Sequence, residues 1–341
     1  MSKSTKDQDP PHQLAPAPSQ NGEVYDDTAH DAVFGETTED GPNYRNVGWL
    51  GTSALMMKTQ IGLGVLSIPA VFDTLGMIPG LICLCTIAAI TTWSDWMVGA
   101  FKLRHREVYS IADAGQLMFG PIGREILGVG FCLYWIFVSG SGMLGVSIGL
   151  NSVSTHGACT VVFVAVAAIV GFGCASIRTL SHVAYGMAIP GLIVSTTLTI
   201  HDPSKYVFVR LLRDSKHLAA NTMVHWATWL GCTFSTAFVA YIIASAIPVF
   251  GGLVSLIGAL LGTLMSFQPM GCMWLYDNWS RGKASPSVQW VLMVLFSVSV
   301  IIMGTFLMVA GTYGSIVGII DSYNMDGRSK PFSCADNSGS V

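Results

Sequence analysis

The residues with the most chemical promise are a lysine and two glycines set in an apolar stretch, Lys58-Thr-Gln-Ile-Gly-Leu-Gly-Val-Leu-Ser-Ile-Pro69. Gly62 and Gly64 weaken helix propensity, and Pro69 removes a backbone donor. In hydrocarbon an unpaired backbone group costs several kcal/mol, so a helix that meets only lipid has no use for such breaks. A break is tolerated where the freed N–H and C=O groups line a polar cavity, and there they can hold a substrate or an ion. Glycines also let neighbouring helices pack closely, and composition alone leaves both readings open. Lys58 is a charge inside the same stretch, a position that points to function. It lies about two and a half turns from Trp49, so its stem can equally carry the ammonium back to an interface.

These residues need a bilayer around them, and the composition calls for one. Of 341 residues, 51% are hydrophobic and 11% charged, with a mean hydropathy of +0.55. Soluble domains carry about a quarter charged residues, so this is a polytopic membrane protein. The first residues are polar, acidic and proline-containing, and no secretory leader is expected. Eight cysteines, at 83, 85, 132, 159, 174, 232, 272 and 334, sit mostly in apolar stretches without C-x-x-C pairs or nearby histidines at ligand spacing. They read as small buried hydrophobes, and neither a disulfide framework nor a zinc site is expected. No nucleophile, base or metal constellation suggests an enzyme, no cofactor is implied, and nothing suggests nucleic acid.

Residues 1–45 hold nine acidic and three basic residues and too little apolar content for a core, which predicts a disordered acidic cytoplasmic tail. Residues 46–323 form the transmembrane domain, and 324–341 a polar C-terminal tail. Eight stretches are apolar and of roughly the 20 residues a crossing needs: 47–72, 78–101, 126–153, 158–177, 183–200, 226–247, 249–274 and 288–320. Trp49 anchors the entry of the first. The stretch from Tyr109 to Gly120 is too short and polar to cross and reads as a brief amphipathic surface helix ended by Gly120-Pro121. Pro190 lies mid-way in the fifth stretch, and 201–222 reads as a loop. Asp95, near the end of the second stretch, is expected to pair with Lys102 or another base.

Lys and Arg in short loops mark the cytoplasmic side. Lys102, Arg104 and Arg106 therefore lie inside, the turns after the first and third stretches outside, and the N-terminus and Arg178 inside. Strict alternation then sends Lys205, Arg210, Arg213, Lys216, Arg281 and Lys283 outside and the uncharged turn at Pro248 inside. Every assignment after Ser181 is inverted. An odd number of further spans between Arg178 and His182 repairs all of them at once. So does a 183–200 that does not cross, although that stretch lacks the polar face of an interfacial helix.

The run Trp49-Leu-Gly-Thr-Ser-Ala-Leu-Met-Met-Lys-Thr-Gln-Ile-Gly-Leu-Gly-Val-Leu-Ser-Ile-Pro69 resembles the first span of fungal neutral amino acid permeases of the amino acid/auxin permease family. Ala188-Ile-Pro-Gly-Leu-Ile-Val-Ser-Thr-Thr197, Trp226-Ala-Thr-Trp-Leu-Gly-Cys-Thr-Phe-Ser235 and Ile247-Pro-Val-Phe-Gly-Gly-Leu-Val-Ser-Leu-Ile-Gly258 are similar to that family's late spans. The resemblance implies an all-α, inverted-repeat amino acid transporter fold with a discontinuous first helix. It has about 8 spans here against 11 in the family. Spans five to seven are those without a counterpart, which places an apparent internal deletion near 181–182.

The resemblance implies proton-coupled symport of neutral amino acids. It puts the chain in the plasma membrane, with the vacuolar membrane as the alternative. It assigns substrate contacts to Gln60, Ile61, Gly62, Leu63 and Gly64 of the unwound first helix and to Tyr134 of the third span, where Ser139 also faces the cavity. Orphan N–H donors at a half-helix N-terminus suit a carboxylate. Ion coupling falls to Lys58 and to the hydroxyls of Ser195, Thr196 and Thr197, although such hydroxyls also back-bond to their own helix. The other reading is a transport-dead truncated isoform or gene-model fragment of such a permease. A seven-helix receptor is disfavoured by the broken first span and the span count.

Overall fold

The computed structural model describes residues 53, 68–69, 71–105, 107–177, 191–213, 215, 217–218, 221–247, 249–284, 287–324 and 331–337. All regular elements among them are helical. The first five are α1 (Met77–Arg104), α2 (Ile111–Ser154), α3 (Thr160–Ala175), α4 (Gly191–Leu211) and α5 (Met223–Ala246). Then α6 (Phe250–Leu256) passes through a π-helical turn, Ile257–Gly262, into α7 (Thr263–Ser266), α8 (Gln268–Ala284) and α9 (Val288–Asn324). Met77–Arg104, Ile111–Ser154, Met223–Ala246, Phe250–Ser280 and Val288–Asn324 are long and apolar enough to cross a membrane, and Thr160–Ala175 is apolar but shorter. On α9, Leu292, Leu295, Ile302 and Phe306 are each more than 60% exposed. Such a row suits lipid, not water. The chain is an all-α polytopic membrane protein.

Local chemistry explains the start of α2. Ser110 accepts from the Asp113 N–H at 3.4 Å while the Asp113 carboxylate accepts from the Ser110 N–H at 3.0 Å, a reciprocal capping box. The expected short helix then breaks at Gly120, where φ is 72° ahead of Pro121. Beyond the break α2 runs unbroken to Ser154.

Contacts between the helices fix their directions. The turn from α2 to α3 spans only 155–159, so α3 runs back alongside α2. A Cβ at Gly142 of α2 would stand 2.6 Å from Thr196, and one at Gly128 would collide with the Tyr206 hydroxyl. Larger numbers on α4 thus face smaller ones on α2, which makes α4 antiparallel to α2 and parallel to α3. Ser204 and Phe208 of α4 meet Thr236 and Trp229 of α5, so α5 runs back again. Among the described helices, α4 follows α3 and runs in the same direction, with fifteen residues between Ala175 and Gly191.

One end of the bundle collects the basic residues. Arg104 meets Asp277 at 2.9 Å, Arg124 lies 4.0 Å from Asp113, and Arg210 pairs with Glu125 at 2.6 Å. The opposite end holds the α2–α3 turn, the last turn of α5 and the end of α9, where the Tyr323 hydroxyl donates to the Ala246 carbonyl at 2.9 Å. Between the ends, Met143, Leu144, Val164, Ile200 and Ala240 form the main apolar core.

Three expectations need correction. Residues 201–211 continue α4 instead of forming a loop, because Phe208 is buried against Trp229 while His201 and Ser204 meet groups of α5 inside the bundle. Cys159 and Cys334 form a disulfide, since the C-terminal segment folds back to the α2–α3 turn. Asp95 is exposed on α1, and the Lys102 ammonium lies 5.9 Å over the Tyr109 ring; Asp277 is the carboxylate that binds the bases there.

Candidate functional site

The α4 hydroxyls and Tyr134 are the parts of the expected site that the described residues contain. Ser195, Thr196 and Thr197 are each at most 3% exposed. Consecutive helical residues point about 100° apart, so burying all three requires neighbours on most sides. α2, α3 and α5 all pack on α4. Thr196 sits in a notch made by glycines: its Oγ1 would be 2.6 Å from a Cβ at Gly142, and its Cγ2 3.6 Å from one at Gly171. Any side chain at Gly142 would push α4 away from α2. Close approach through small residues is how membrane helices pack without a hydrophobic driving force.

Just beyond the hydroxyls, Pro203 lies inside α4 and offers no N–H to the Thr199 carbonyl one turn back. Thr199 Oγ1 donates to the Thr196 carbonyl at 2.9 Å, and Ser204 Oγ to the Ile200 carbonyl at 2.7 Å. Ser204 also lies 3.0 Å from Thr236 Oγ1. His201 is 1% exposed, with its ring edge-on to Trp229 at 5.0 Å. Trp229 Nε1–H in turn donates to the Ser176 carbonyl at 2.9 Å, tying α5 to the end of α3.

The hydroxyls of this strip are neutral oxygens, and Asp202 adds a carboxyl group on the same helix. Hydroxyls and a freed carbonyl can accept hydrogen bonds from an ammonium or ligate a small cation, but they do not exchange protons near neutral pH. His201, one turn from Thr197, adds an imidazole to the same helical face. Sequence reading passed over His201, yet Thr197, His201 and Ser204 follow the i, i+4, i+7 spacing of one helical face. A polar stripe of that period inside an apolar bundle is the signal that would have found it.

The other expected site residues fall elsewhere. Tyr134 lies on α2 eight residues before Gly142, about 12 Å along the helix. Its ring faces the π-helical turn, 3.9 Å from where a Cβ would stand at Gly262, and packs on Trp135 at 5.2 Å. The structure therefore does not bring Tyr134 to the α4 hydroxyls. Ser139 donates to the Trp135 carbonyl at 2.8 Å, a structural back-bond. Lys58, Gln60, Ile61, Gly62, Leu63 and Gly64 lie outside the described residues. The π-helical turn went unforeseen; such turns often mark functional sites.

The family described as transmembrane amino acid transporter protein matches residues 45–212 and 186–317. A "Transmembrane transporter" of Gibberella moniliformis is 26% identical over 438 residues, covering 91% of this chain and 91% of the relative. A protein of the same description from Fusarium pseudograminearum is 25% identical, with the same shares covered. An "N amino acid transport system protein" of Neurospora crassa is 23% identical over 428 residues, covering 88% of this chain and 91% of the relative. No solved structure matches. The chain belongs to the transmembrane amino acid transporter family, and is a membrane transporter protein rather than an enzyme.

Proposed function

We propose that this architecture serves proton-coupled symport of neutral amino acids. The observation that carries the reading is the buried row Ser195–Thr196–Thr197 on α4, held between the glycines of α2 and α3 inside a chain of this family. Neutral oxygens offer hydrogen bonds to an amino acid's ammonium. His201, one turn away on the same helix, supplies a proton-exchanging group. Gly62 and Gly64 supply the carboxylate's N–H donors in this reading, with Gln60, Ile61 and Leu63 beside them and Lys58 close by. A proposed plasma-membrane location, with a cytoplasmic N-terminus, fits the same assignment. The amino acid transport named for the Neurospora crassa relative supports the substrate class.

A second reading concerns this 341-residue chain itself: it lacks three spans between α3 and α4 and is silent in transport. Two observations favour it. First, α3 and α4 run parallel although fifteen residues separate them, fewer than the ~20 of a spanning helix. Second, 91% of 341 residues is about 310, so an alignment 438 residues long leaves about 128 positions with no counterpart in this chain. Three spans of ~20 residues with their loops fit in such a gap. An odd number of missing spans also returns Lys205, Arg210, Arg213, Arg281 and Lys283 to the cytoplasmic side, as the clustering of bases at one end of the bundle requires. Half of the amino acid site would be missing, leaving the ammonium short of acceptors in a low-dielectric cavity, at a cost of several kcal/mol.

Uptake of radiolabelled leucine and phenylalanine in a transporter-deficient host separates these readings. A version restored to eleven spans should show saturable uptake that rises as external pH falls, and His201→Gln in that version should flatten the pH dependence. Uptake confined to charged amino acids, or indifferent to pH, would refute neutral proton symport. The 341-residue chain should show no saturable uptake; robust uptake by it would refute the deletion reading and leave the transport reading intact.

A further inference from the structure

The C-terminal segment Pro331-Phe-Ser-Cys-Ala-Asp-Asn337 comes back across the end of the bundle opposite the basic residues. Cys334 is disulfide-bonded to Cys159, the residue before α3. The Phe332 N–H donates to the Ser245 carbonyl at 2.8 Å, satisfying one of the carbonyls that the end of α5 leaves open. Thr160 Oγ1 donates to the Ala335 carbonyl at 2.6 Å. The Asn337 amide fits between two side chains of α2: its Oδ1 accepts from Asn151 Nδ2 at 2.7 Å, and its Nδ2 donates to Ser147 Oγ at 3.0 Å. Asn151 and Ser147 are both 0% exposed. Asn151 also binds Thr160 at 2.8 Å and His156 at 3.0 Å, so the segment closes a network already built by α2 and α3.

The place of this network gives it a consequence. Asn151 stands nine residues beyond Gly142 on α2, about 13 Å further toward that end of the bundle. Gly142 is the residue that meets Thr196. The segment therefore crosses the end of the bundle beyond the level of the α4 hydroxyls. Disulfides persist in oxidising compartments and are rare in the cytosol. Cysteine chemistry and the clustering of bases thus point to the same orientation, with the strapped end away from the cytoplasm.

We propose that residues 331–337 are a strap closing the non-cytosolic end of the bundle, released when the Cys159–Cys334 bond is reduced. Cys334 is exposed and Cys159 half-buried, so a dissolved thiol can reach the bond from the water side. A thiolate of a dithiol reductant attacks the Cys334 sulfur, forming a mixed disulfide and expelling the Cys159 thiolate. The reductant's second thiol then displaces Cys334 and leaves as a cyclic disulfide. Two electrons pass to the protein, and each cysteine sulfur ends with one proton. Non-covalent contacts then hold the strap, in competition with water. The device stands apart from the identity of any transported substrate.

Three measurements on the full 341-residue chain test it. Maleimide-reactive thiols counted after denaturation should number six before reduction and eight after, and Cys334→Ser should give seven in both states. Eight thiols in both states of the unaltered chain would overturn the bond. In vesicles sealed with the cytosolic face outward, an impermeant reductant should leave the bond intact until detergent admits it; reduction without detergent would overturn the orientation. Amide hydrogen exchange over 147–160 should quicken about tenfold on reduction, and less in unreduced Asn337→Ala, which keeps the bond and loses the amide insertion. Exchange there that ignores both reduction and Asn337→Ala would show that the segment covers nothing, and the strap would be abandoned.

Discussion

The two ends of the bundle are held together by opposite chemistry. At the basic end Asp277, 4% exposed, takes the Arg104 guanidinium at 2.9 Å and the His105 Nε2 at 2.8 Å, joining α1 to α8. Arg210 and Glu125 join α4 to α2 in the same way, with both side chains well exposed. At the other end the fastenings are a disulfide, two asparagine amides and two hydroxyls. Lys and Arg are enriched in cytoplasmic loops, so in the proposed orientation the ion pairs lie on that side. On the far side covalent and amide links do the joining. The exposed pair of the first kind answers to salt, the second kind to redox state.

The largest effect should come from breaking the covalent fastening. Closing a loop of 175 residues restricts the unfolded chain strongly, and loss of a native disulfide typically costs about 2–5 kcal/mol. Cys159→Ser should lower the thermal midpoint of the purified chain in detergent by several degrees, and a reductant should do the same to the unaltered chain but nothing further to Cys159→Ser. Equal midpoints throughout would mean that the neutral end is held by its hydrogen bonds alone, and the contrast between the ends would lose its covalent half.

Next comes the buried carboxylate of the basic end. Asp277→Asn keeps the shape and removes the charge that two basic groups share. Hydrogen bonds to charged groups contribute about 1.5–3 kcal/mol each, and Arg104 is half exposed, so the loss should be about 2 kcal/mol. A buried partner is screened less than an exposed one, so most of the loss should survive in high salt. Thermal midpoints at low and high salt check this. A loss that vanishes in salt would place Asp277 energetically at the surface.

Which of these features could be read from the residues depended on whether hydrophobicity carried the information. α1, α5 and α9 begin and end within a few residues of the apolar stretches 78–101, 226–247 and 288–320, because a lipid-facing helix must announce itself by composition. The second half of α4 was hidden for the same reason inverted. His201, Ser204 and Lys205 lower its hydropathy, while its partners lie on α5, which sequence spacing cannot show. The π-helical turn Ile257–Gly262 was invisible because one extra residue per turn needs no particular side chain in an apolar run. Cys159 and Cys334 were missed because a 175-residue separation carries no spacing signal. The charge parity, by contrast, could be stated from the residues alone. Loop arginines asked for an odd number of extra crossings or for a 183–200 that does not cross, and the parallel course of α3 and α4 raises the same question in three dimensions.

The smallest effect on stability should come from the exposed pair, Arg210 and Glu125, and it sharpens the comparison most. Their side chains are 41% and 54% exposed, so despite a separation of 2.6 Å the pair should contribute no more than about 1 kcal/mol. Arg210→Ala and Glu125→Ala should each shift the thermal midpoint slightly. Their double-mutant coupling should disappear near ~1 M salt, where the Debye length falls to about 3 Å. In the proposed orientation the role of Arg210 is to mark the cytoplasmic end, which stability does not register. A cysteine placed at Arg213 should therefore resist an impermeant thiol reagent applied to the non-cytosolic face, both with Arg210 present and in Arg210→Ala, because Lys205 and Lys216 remain to hold that end inside. Rapid labelling from that face with Arg210 present would put the bases outside, undo the orientation shared with the disulfide end, and leave the two fastenings without a common cause.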